Sequence, residues 1–107
     1  MCGIVGFSGG LDKASLVKAT DALTHRGPDD KGTFYTEAQS VGLGHTRLSI
    51  MDLSAMGHQP MVSSDQSVIL VFNGEIYNFQ LLRFELVEKG YIFKGSSDTE
   101  VVLNMYL

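Results

Sequence analysis

The chain has 107 residues, of which 44% are hydrophobic and 19% charged, and its formal net charge is −4 at pH 7. This composition is that of one ordinary globular domain, and the acidic balance, with eight scattered Lys and Arg residues, argues against nucleic acid or an anionic membrane as a partner. A single cysteine excludes an internal disulfide. With no signal-peptide pattern and no membrane-length apolar stretch, we expect a cytoplasmic protein.

The first element along the chain is a short apolar run, residues 4–7, which predicts a strand that ends at the turn Ser8-Gly9-Gly10. Asp12 can cap the helix that follows. Apolar residues spaced by three and four would form the buried stripe of this helix: Leu16, Ala19 and Leu23. Residues 8–12 also resemble the SGGxDS loop of ATP pyrophosphatase domains, but Lys13 occupies the position of the second serine. We therefore predict a turn and a helix cap here, and no ATP site.

Several short stretches of β-like composition come next, after a loop that contains Gly and Pro. They are residues 33–36, 40–44, 47–51, 67–72, 75–77 and 91–94. The stretch 67–72 is the strongest, because its unbroken apolar run predicts burial on both faces. Asn73-Gly74, directly behind it, is a typical hairpin dipeptide.

Two more helices are predicted in the second half of the chain. Asn78 can cap the first, which ends at Gly90. Ser97-Asp98-Thr99-Glu100 has the capping-box spacing and opens the second. That last helix reaches Leu107 without a stop signal, so we expect the chain to be part of a larger protein. The elements together predict a mixed α and β fold.

Cys2 is the first candidate for chemistry. A free cysteine is most often a small buried hydrophobe, and this interpretation stays open for Cys2 considered alone. If Met1 is removed, however, residue 2 carries both a thiol and a free α-amino group. The nucleophile then has a base built into the same residue, as in other N-terminal nucleophiles.

Three other positions each allow a structural and a functional interpretation. Asn73-Gly74 is a hairpin turn, a pair of donors for a tetrahedral oxyanion, or both. Arg47 is either a surface residue with its stem on the sheet or a bidentate carboxylate clamp. Asp98 is either an acidic residue favoured at a helix start or the partner of a substrate ammonium group. No metal site is predicted, because the three histidines show no paired ligand spacing.

Six short motifs occur in an order that resembles a known family. They are Met1-Cys2-Gly3-Ile4-Val5-Gly6, His25-Arg26-Gly27-Pro28-Asp29, Gly44-His45-Thr46-Arg47-Leu48-Ser49-Ile50, Gly57-His58-Gln59-Pro60, Asn73-Gly74-Glu75-Ile76-Tyr77-Asn78 and Ser97-Asp98-Thr99-Glu100. Each motif is weak alone, but the ordered set is a strong signal. The set resembles the class II glutamine amidotransferase domain, with an N-terminal nucleophile, of glutamine-hydrolysing asparagine synthetases. The residues after Arg47 and around Asn73-Gly74 are less similar to glucosamine-6-phosphate synthase or phosphoribosylpyrophosphate amidotransferase.

The resemblance implies a role for each candidate residue. Cys2 resembles the nucleophile, with its own α-amine as the general base. Asn73 and Gly74 resemble the oxyanion hole. Residues that resemble ligands of glutamine are Arg47 for the α-carboxylate, Leu48, Ser49, Ile50 and Met51 for the pocket wall, Asn73 and Gly74, and Glu75 and Asp98 for the α-ammonium.

The resemblance also implies an α+β fold with four layers, α-β-β-α, in which two antiparallel sheets stack. Residues 1–107 would be the N-terminal part of a type-2 glutamine amidotransferase domain, incomplete in this chain, and we expect the isolated piece to be weakly active or inactive. The Cys2 thiolate would form a glutamyl thioester from L-glutamine and release ammonia without a cofactor. A synthetase domain of the same polypeptide would use the ammonia, with ATP and Mg²⁺, to amidate aspartate, and a homodimer is compatible with this arrangement.

Two alternatives to this interpretation stay open. One is a non-catalytic module that binds glutamine or a partner. The other is the amidotransferase domain of a relative that delivers ammonia to a different acceptor.

Overall fold

The computed structural model describes residues 2–48 and 57–107. In chain order, the elements in those ranges are β1 (Gly3–Ser8), α1 (Lys13–Asp21), a 3₁₀ turn (Thr24–Arg26), β2 (Asp30–Thr36), β3 (Val41–Arg47), β4 (Met61–Val62), β5 (Ile69–Leu70), α2 (Phe79–Glu88) and α3 (Asp98–Tyr106). An antiparallel sheet has the strand order β1-β3-β2, and β4 and β5 form an antiparallel pair. This confirms an α+β fold with antiparallel sheets.

Helix α1 packs closely on the three-stranded sheet because β3 has glycines beneath it. Leu16 and Thr20 are the buried side chains of α1. A Cβ atom at Gly44 would collide with the Thr20 hydroxyl, and one at Gly42 would lie 3.2 Å from Cδ2 of Leu16. The predicted apolar stripe is therefore correct at Leu16 and wrong at Ala19, which is exposed, because the face that meets these glycines passes through residues 16 and 20.

The helices begin largely where local sequence signals predict. The Asp12 carboxylate accepts a hydrogen bond from the backbone N–H three residues along at 2.9 Å, and this contact lowers the pKa of Asp12. The Ser97 hydroxyl accepts one in the same way at 3.4 Å. Both predicted caps are confirmed. Asn78 precedes α2, but its side chain makes no capping hydrogen bond with the described part of the chain. Gly90, with φ of +97°, follows the end of α2.

The strand predicted over residues 67–72 is mostly wrong. Only Ile69–Leu70 pairs, with Met61–Val62, and residues 68–72 are half-buried where full burial on both faces was expected. The backbone N–H of Phe72 donates to the side-chain Oε1 of Gln59 at 2.6 Å. A side chain thus replaces the strand partner at this point, and a run of apolar residues contains no signal for that.

Two further strand predictions are wrong for the same reason, because a side chain and not a neighbouring strand accepts the backbone hydrogen bond. Within the described range 57–107, residues 75–77 and 91–94 form no strand. The Ile76 N–H donates to the carboxylate of Asp98 at 2.9 Å. The Lys94 N–H donates to the carboxylate of Glu100 at 2.7 Å. Both acceptors lie in the first turn of α3, so the helix start organises the chain segments around it.

The predicted separation between strands at 40–44 and 47–51 is also wrong, because β3 runs continuously from Val41 to Arg47. Its pairing with β1 sets Gly3 opposite Thr46 and Ile4 opposite His45. This register brings the residue before β1 beside the residues at the end of β3. Residues 49–51 lie outside the described ranges.

Candidate active site

The thiol of Cys2 lies against the backbone of Leu48, just beyond the end of β3. The Leu48 N–H donates to Sγ at 3.3 Å, and Sγ lies 3.8 Å from the carbonyl oxygen of Leu48, to which the thiol can donate. Cys2 is half-buried. These two contacts with Leu48 fix the position of the sulfur at the end of β3.

Cys2 lines a cavity of about 420 Å³, a volume within the range of about 300–1,000 Å³ typical of small-molecule sites. The cavity is lined by every predicted site residue that the described ranges contain: Cys2, Arg47, Leu48, Asn73, Gly74, Glu75 and Asp98. The remaining predictions, Ser49, Ile50 and Met51, lie outside the described residues. Segments far apart in the sequence therefore meet at one site.

Arg47 supplies positive charge to this cavity. The residue ends β3 and is only 8% exposed, so it is not a surface arginine with its head in bulk water. Its guanidinium passes directly against Gly57, where a Cβ atom would collide with it. A buried arginine at a cavity wall has the geometry to bind a carboxylate through two parallel hydrogen bonds.

Negative charge comes from Asp98 and Glu75. Asp98 is the first residue of α3 and is 6% exposed. Its Oδ2 atom accepts a hydrogen bond from the Ile76 N–H at 2.9 Å, which fixes the carboxylate at the cavity wall. Glu75 lines the cavity and is exposed. The cavity thus carries a cation and anions together, a combination complementary to a zwitterionic amino acid.

Asn73 lies beside the candidate nucleophile. Its side-chain Nδ2 donates a hydrogen bond to the backbone carbonyl oxygen of Cys2 at 3.0 Å. Asn73 and Gly74 do not form the predicted hairpin, since residues 71–73 and 75–76 are irregular. The amide that was predicted as an oxyanion donor is therefore bonded to the same residue that carries the thiol.

Two buried side chains that were not predicted as site residues hold the segment before Asn73. Gln59 accepts from the Phe72 N–H, and Nε2 of His45 lies 3.2 Å from the Phe72 carbonyl oxygen. Gln59 also donates from Nε2 to the Thr99 hydroxyl at 3.3 Å. Both residues lie in the motifs Gly57-His58-Gln59-Pro60 and Gly44-His45-Thr46-Arg47, so presence in a motif was the only signal that could have identified them.

His45 is 1% exposed, and burial lowers the pKa of its imidazole. The hydrogen bond to the Phe72 carbonyl opposes this effect, and the charge of Arg47 adds to it. Because a carbonyl only accepts, Nε2 carries the proton in this contact. Nδ1 is buried without a hydrogen-bond partner among the described residues. The arrangement suits a neutral imidazole.

In residues 2–48 and 57–107, no group of three or more His, Cys, Asp and Glu residues is arranged to hold a metal ion. His58, one of the three histidines, pairs with Asp30, with 2.6 Å between Nδ1 and Oδ2.

No helix in those ranges is long and apolar enough to span a membrane.

Comparison with known proteins gives a family match along the whole chain. Residues 1–107 match the family described as "Glutamine amidotransferase domain". The chain is 44% identical over 113 residues to "Asparagine synthetase [glutamine-hydrolyzing] 1" of Bacillus subtilis, a match that covers 99% of this chain and 17% of the relative. It is 42% identical over 126 residues to "Putative asparagine synthetase [glutamine-hydrolyzing] 2" of Methanocaldococcus jannaschii, covering 99% and 24%. It is 38% identical over 121 residues to "Amidase chyE" of Penicillium rubens, covering 99% and 18%. The chain thus spans a quarter or less of the length of these relatives.

Proposed function

The chain belongs to the glutamine amidotransferase domain family, and on that premise we propose that Cys2 is the nucleophile that releases ammonia from the side-chain amide of L-glutamine. The observation that carries the proposal is the shared cavity of Cys2, Arg47, Asn73 and Asp98. A free cysteine by itself would not indicate catalysis. A thiol with a carboxylate clamp, an ammonium ligand and amide donors around it has what glutamine hydrolysis needs.

The substrate is held by its amino-acid end in this proposal. Arg47 binds the α-carboxylate, and Asp98, with Glu75, binds the α-ammonium. Both Arg47 and Asp98 are buried, so a ligand that lacked either charged group would forgo a charge-assisted hydrogen bond at a wall shielded from water, which disfavours its binding. The side-chain amide of glutamine then extends toward Cys2.

The chemistry proceeds in two stages. Once Met1 has been removed, the α-amine of Cys2 takes the thiol proton, and the sulfur adds to the amide carbon. The oxyanion is stabilised by Asn73 Nδ2 and the Gly74 N–H; loss of one such donor typically raises a barrier by about 2.7–4 kcal/mol. The α-ammonium returns the proton to the departing nitrogen, ammonia leaves, and a thioester remains. Water then hydrolyses the thioester to glutamate.

We assign the use of ammonia to a synthetase domain of the same polypeptide, which would amidate aspartate with ATP and Mg²⁺. The residues described here do not fit an ATP site of their own. The loop Ser8-Gly9-Gly10 is followed by Asp12, whose carboxylate caps α1, and by Lys13 where a second serine would stand. In this proposal the glutaminase step uses Cys2 and the groups around it.

A second candidate differs only in the acceptor of the ammonia. It is favoured by the similarity to "Amidase chyE" of Penicillium rubens, a relative whose name is not that of an asparagine synthetase. In this version the glutaminase chemistry at Cys2 is unchanged. Supply of glutamine and ATP with aspartate, and separately with other carboxylates, distinguishes the two by the amide that accumulates.

The proposal is tested with Cys2→Ala in the intact protein. We expect release of glutamate from glutamine to fall to background, while synthesis supplied with free ammonia continues at the wild-type rate. The second measurement is the control for correct folding of the variant. Glutamine hydrolysis by Cys2→Ala at an undiminished rate would refute the assignment of the nucleophile.

A further inference from the structure

Phe72 is held by side chains at both of its backbone polar groups. Oε1 of Gln59 accepts from its N–H at 2.6 Å, and Nε2 of His45 reaches its carbonyl oxygen at 3.2 Å. Strand β5 ends two residues earlier, at Leu70. The backbone direction from Phe72 onward is therefore set by these side chains and not by a sheet.

The residue after Phe72 is Asn73, and the Phe72 carbonyl belongs to the same peptide unit as the Asn73 N–H. A change in the orientation of this peptide unit would therefore move the Asn73 side chain and the Gly74 N–H. Asn73 Nδ2 donates to the Cys2 carbonyl oxygen at 3.0 Å, which holds this amide beside the residue that carries the thiol. A shift of about 1 Å would break that contact, and displacements of that size can lower a rate about 100-fold.

We infer that Gln59 is a positioning residue, which sets the donors Asn73 and Gly74 at the correct place relative to the Cys2 thiol; the inference rests on the proposed function. Gln59 is only 6% exposed. Of its two polar atoms, Oε1 is engaged by the Phe72 N–H and Nε2 by the Thr99 hydroxyl. Gln59 also lines the cavity, but both polar atoms of its amide are bonded to protein groups, and in this inference it acts on the reaction through Phe72.

The orientation of the Gln59 amide follows from its partners. A backbone N–H can only donate, so the atom that faces Phe72 must be the oxygen. The nitrogen is then left for Thr99, whose hydroxyl can accept. Because Thr99 follows Asp98 at the start of α3, Gln59 joins the segment that carries the oxyanion donors to the helix that carries the ammonium ligand.

The test compares glutamine hydrolysis by the intact wild-type protein and Gln59→Met, which keeps the side-chain length and removes both hydrogen bonds. We expect kcat to fall by roughly 10- to 100-fold, as for a small misplacement of a catalytic group. KM should change by less than about threefold, since the oxyanion donors act on the transition state and not on bound substrate. Gln39→Met, at an exposed turn position, is the matched control and should leave both constants unchanged.

Two further variants dissect the contacts. Thr99→Val removes the hydrogen bond from Gln59 to residue 99 and keeps the one from the Phe72 N–H to Gln59 Oε1. Gln59→Glu keeps an oxygen that accepts from the Phe72 N–H, and the Thr99 hydroxyl can donate to the new carboxylate. Each should retain kcat within about fivefold of wild type, well above Gln59→Met. These variants carry the test if Gln59→Met does not fold, and a larger loss of kcat in both would overturn the inference.

Alkylation of Cys2 by iodoacetamide separates positioning from general damage, because that reaction forms no oxyanion. We expect its rate to be unchanged in Gln59→Met. An equal loss of alkylation and hydrolysis, or a kcat within twofold of wild type, would overturn the positioning role. If Cys2→Ala still hydrolyses glutamine, the proposed function fails. If Cys2→Ala is inactive and Gln59→Met is fully active, the positioning role alone fails.

Discussion

The guanidinium of Arg47 lies so close to Gly57 that residue 57 has no room for a side chain. A Cβ atom there would come within 2.8 Å of Cζ and closer still to Nη2. Gly57 is buried, and both residues line the cavity of Cys2. The guanidinium of Arg47 thus occupies space that the absence of a side chain at Gly57 leaves free.

Gly57→Ala should weaken glutamine binding more than it weakens the fold. The new methyl group would displace the far end of a flexible side chain, which moves at low cost to stability. A displaced guanidinium loses charge-assisted hydrogen bonds worth about 1.5–3 kcal/mol, so KM should rise roughly 10- to 100-fold. Steady-state kinetics provide the measurement, and Gly6→Ala, where a Cβ would meet Cδ2 of Leu43 at an ordinary 3.5 Å, is the control. An unchanged KM would show that Arg47 does not need this space.

Gly27→Ala should have the opposite outcome, a loss of stability. A Cβ at residue 27 would lie 2.5 Å from the backbone N and C atoms of Arg47 and from the C atom of Thr46. These atoms belong to β3, the central strand of its sheet, and cannot move aside. We expect the free energy of unfolding to fall by about 3 kcal/mol, at the upper end of overpacking costs. Urea denaturation measures it, and a change below about 1 kcal/mol would contradict the packing described.

Asp98→Asn should raise KM for glutamine without loss of the fold. The asparagine oxygen can still accept from the Ile76 N–H, the contact that Asp98 makes at 2.9 Å. The negative charge opposite the substrate ammonium is lost, so we expect KM to rise roughly 10- to 100-fold. The control is Asp21→Asn, which removes the charge of an exposed pair with Lys31 and should change little. Equal KM values in wild type and Asp98→Asn would argue that Glu75 alone holds the ammonium.

His45 should make stability depend on pH below neutrality. Burial lowers the pKa of His45 in the folded protein, whereas in the unfolded chain it returns to about 6.5. As the pH falls, the unfolded state therefore binds a proton before the folded state does. The free energy of unfolding then decreases as the pH is lowered. The contribution is fully present above about pH 6.5 and is lost as the pH falls through the folded pKa.

His45→Gln retains a donor that can face the Phe72 carbonyl but does not titrate. Unfolding free energies of wild type and His45→Gln, measured between pH 5 and 7.5, should differ in slope below about pH 6.5. The pair formed by His58 and Asp30 is common to both proteins and cancels in the comparison. Parallel curves would mean that the buried imidazole is not held neutral.

Elements that depend on neighbouring residues were predictable from the sequence. The caps at Asp12 and Ser97 and the stop at Gly90 involve contacts within a few residues, and they appear as expected. The stretches 75–77 and 91–94 were mistaken for strands because their backbone donors bind carboxylates of α3. Composition reports how apolar a segment is, but it does not report which distant side chain will satisfy its backbone.

The candidate site follows the same division. Residues with charged or reactive groups, such as Cys2, Arg47 and Asp98, could be selected because the chemistry of the family resemblance requires them, and they do meet in one cavity; their roles stay predictions. Gln59 and His45 could not be selected in this way. Their contribution is a hydrogen bond to the backbone of Phe72, and that contact exists only in three dimensions.

The contacts around Cys2 span long stretches of the chain. Cys2 contacts Leu48, 46 residues away, and Asn73, 71 residues away, and Asp98 is anchored by Ile76, 22 residues before it. Of these residues, Cys2 is synthesised first on the ribosome, and Asp98, at the start of α3, is synthesised last. Under the proposed function, a nascent chain therefore has no complete glutamine site until the helix that starts at Asp98 has been translated and has docked.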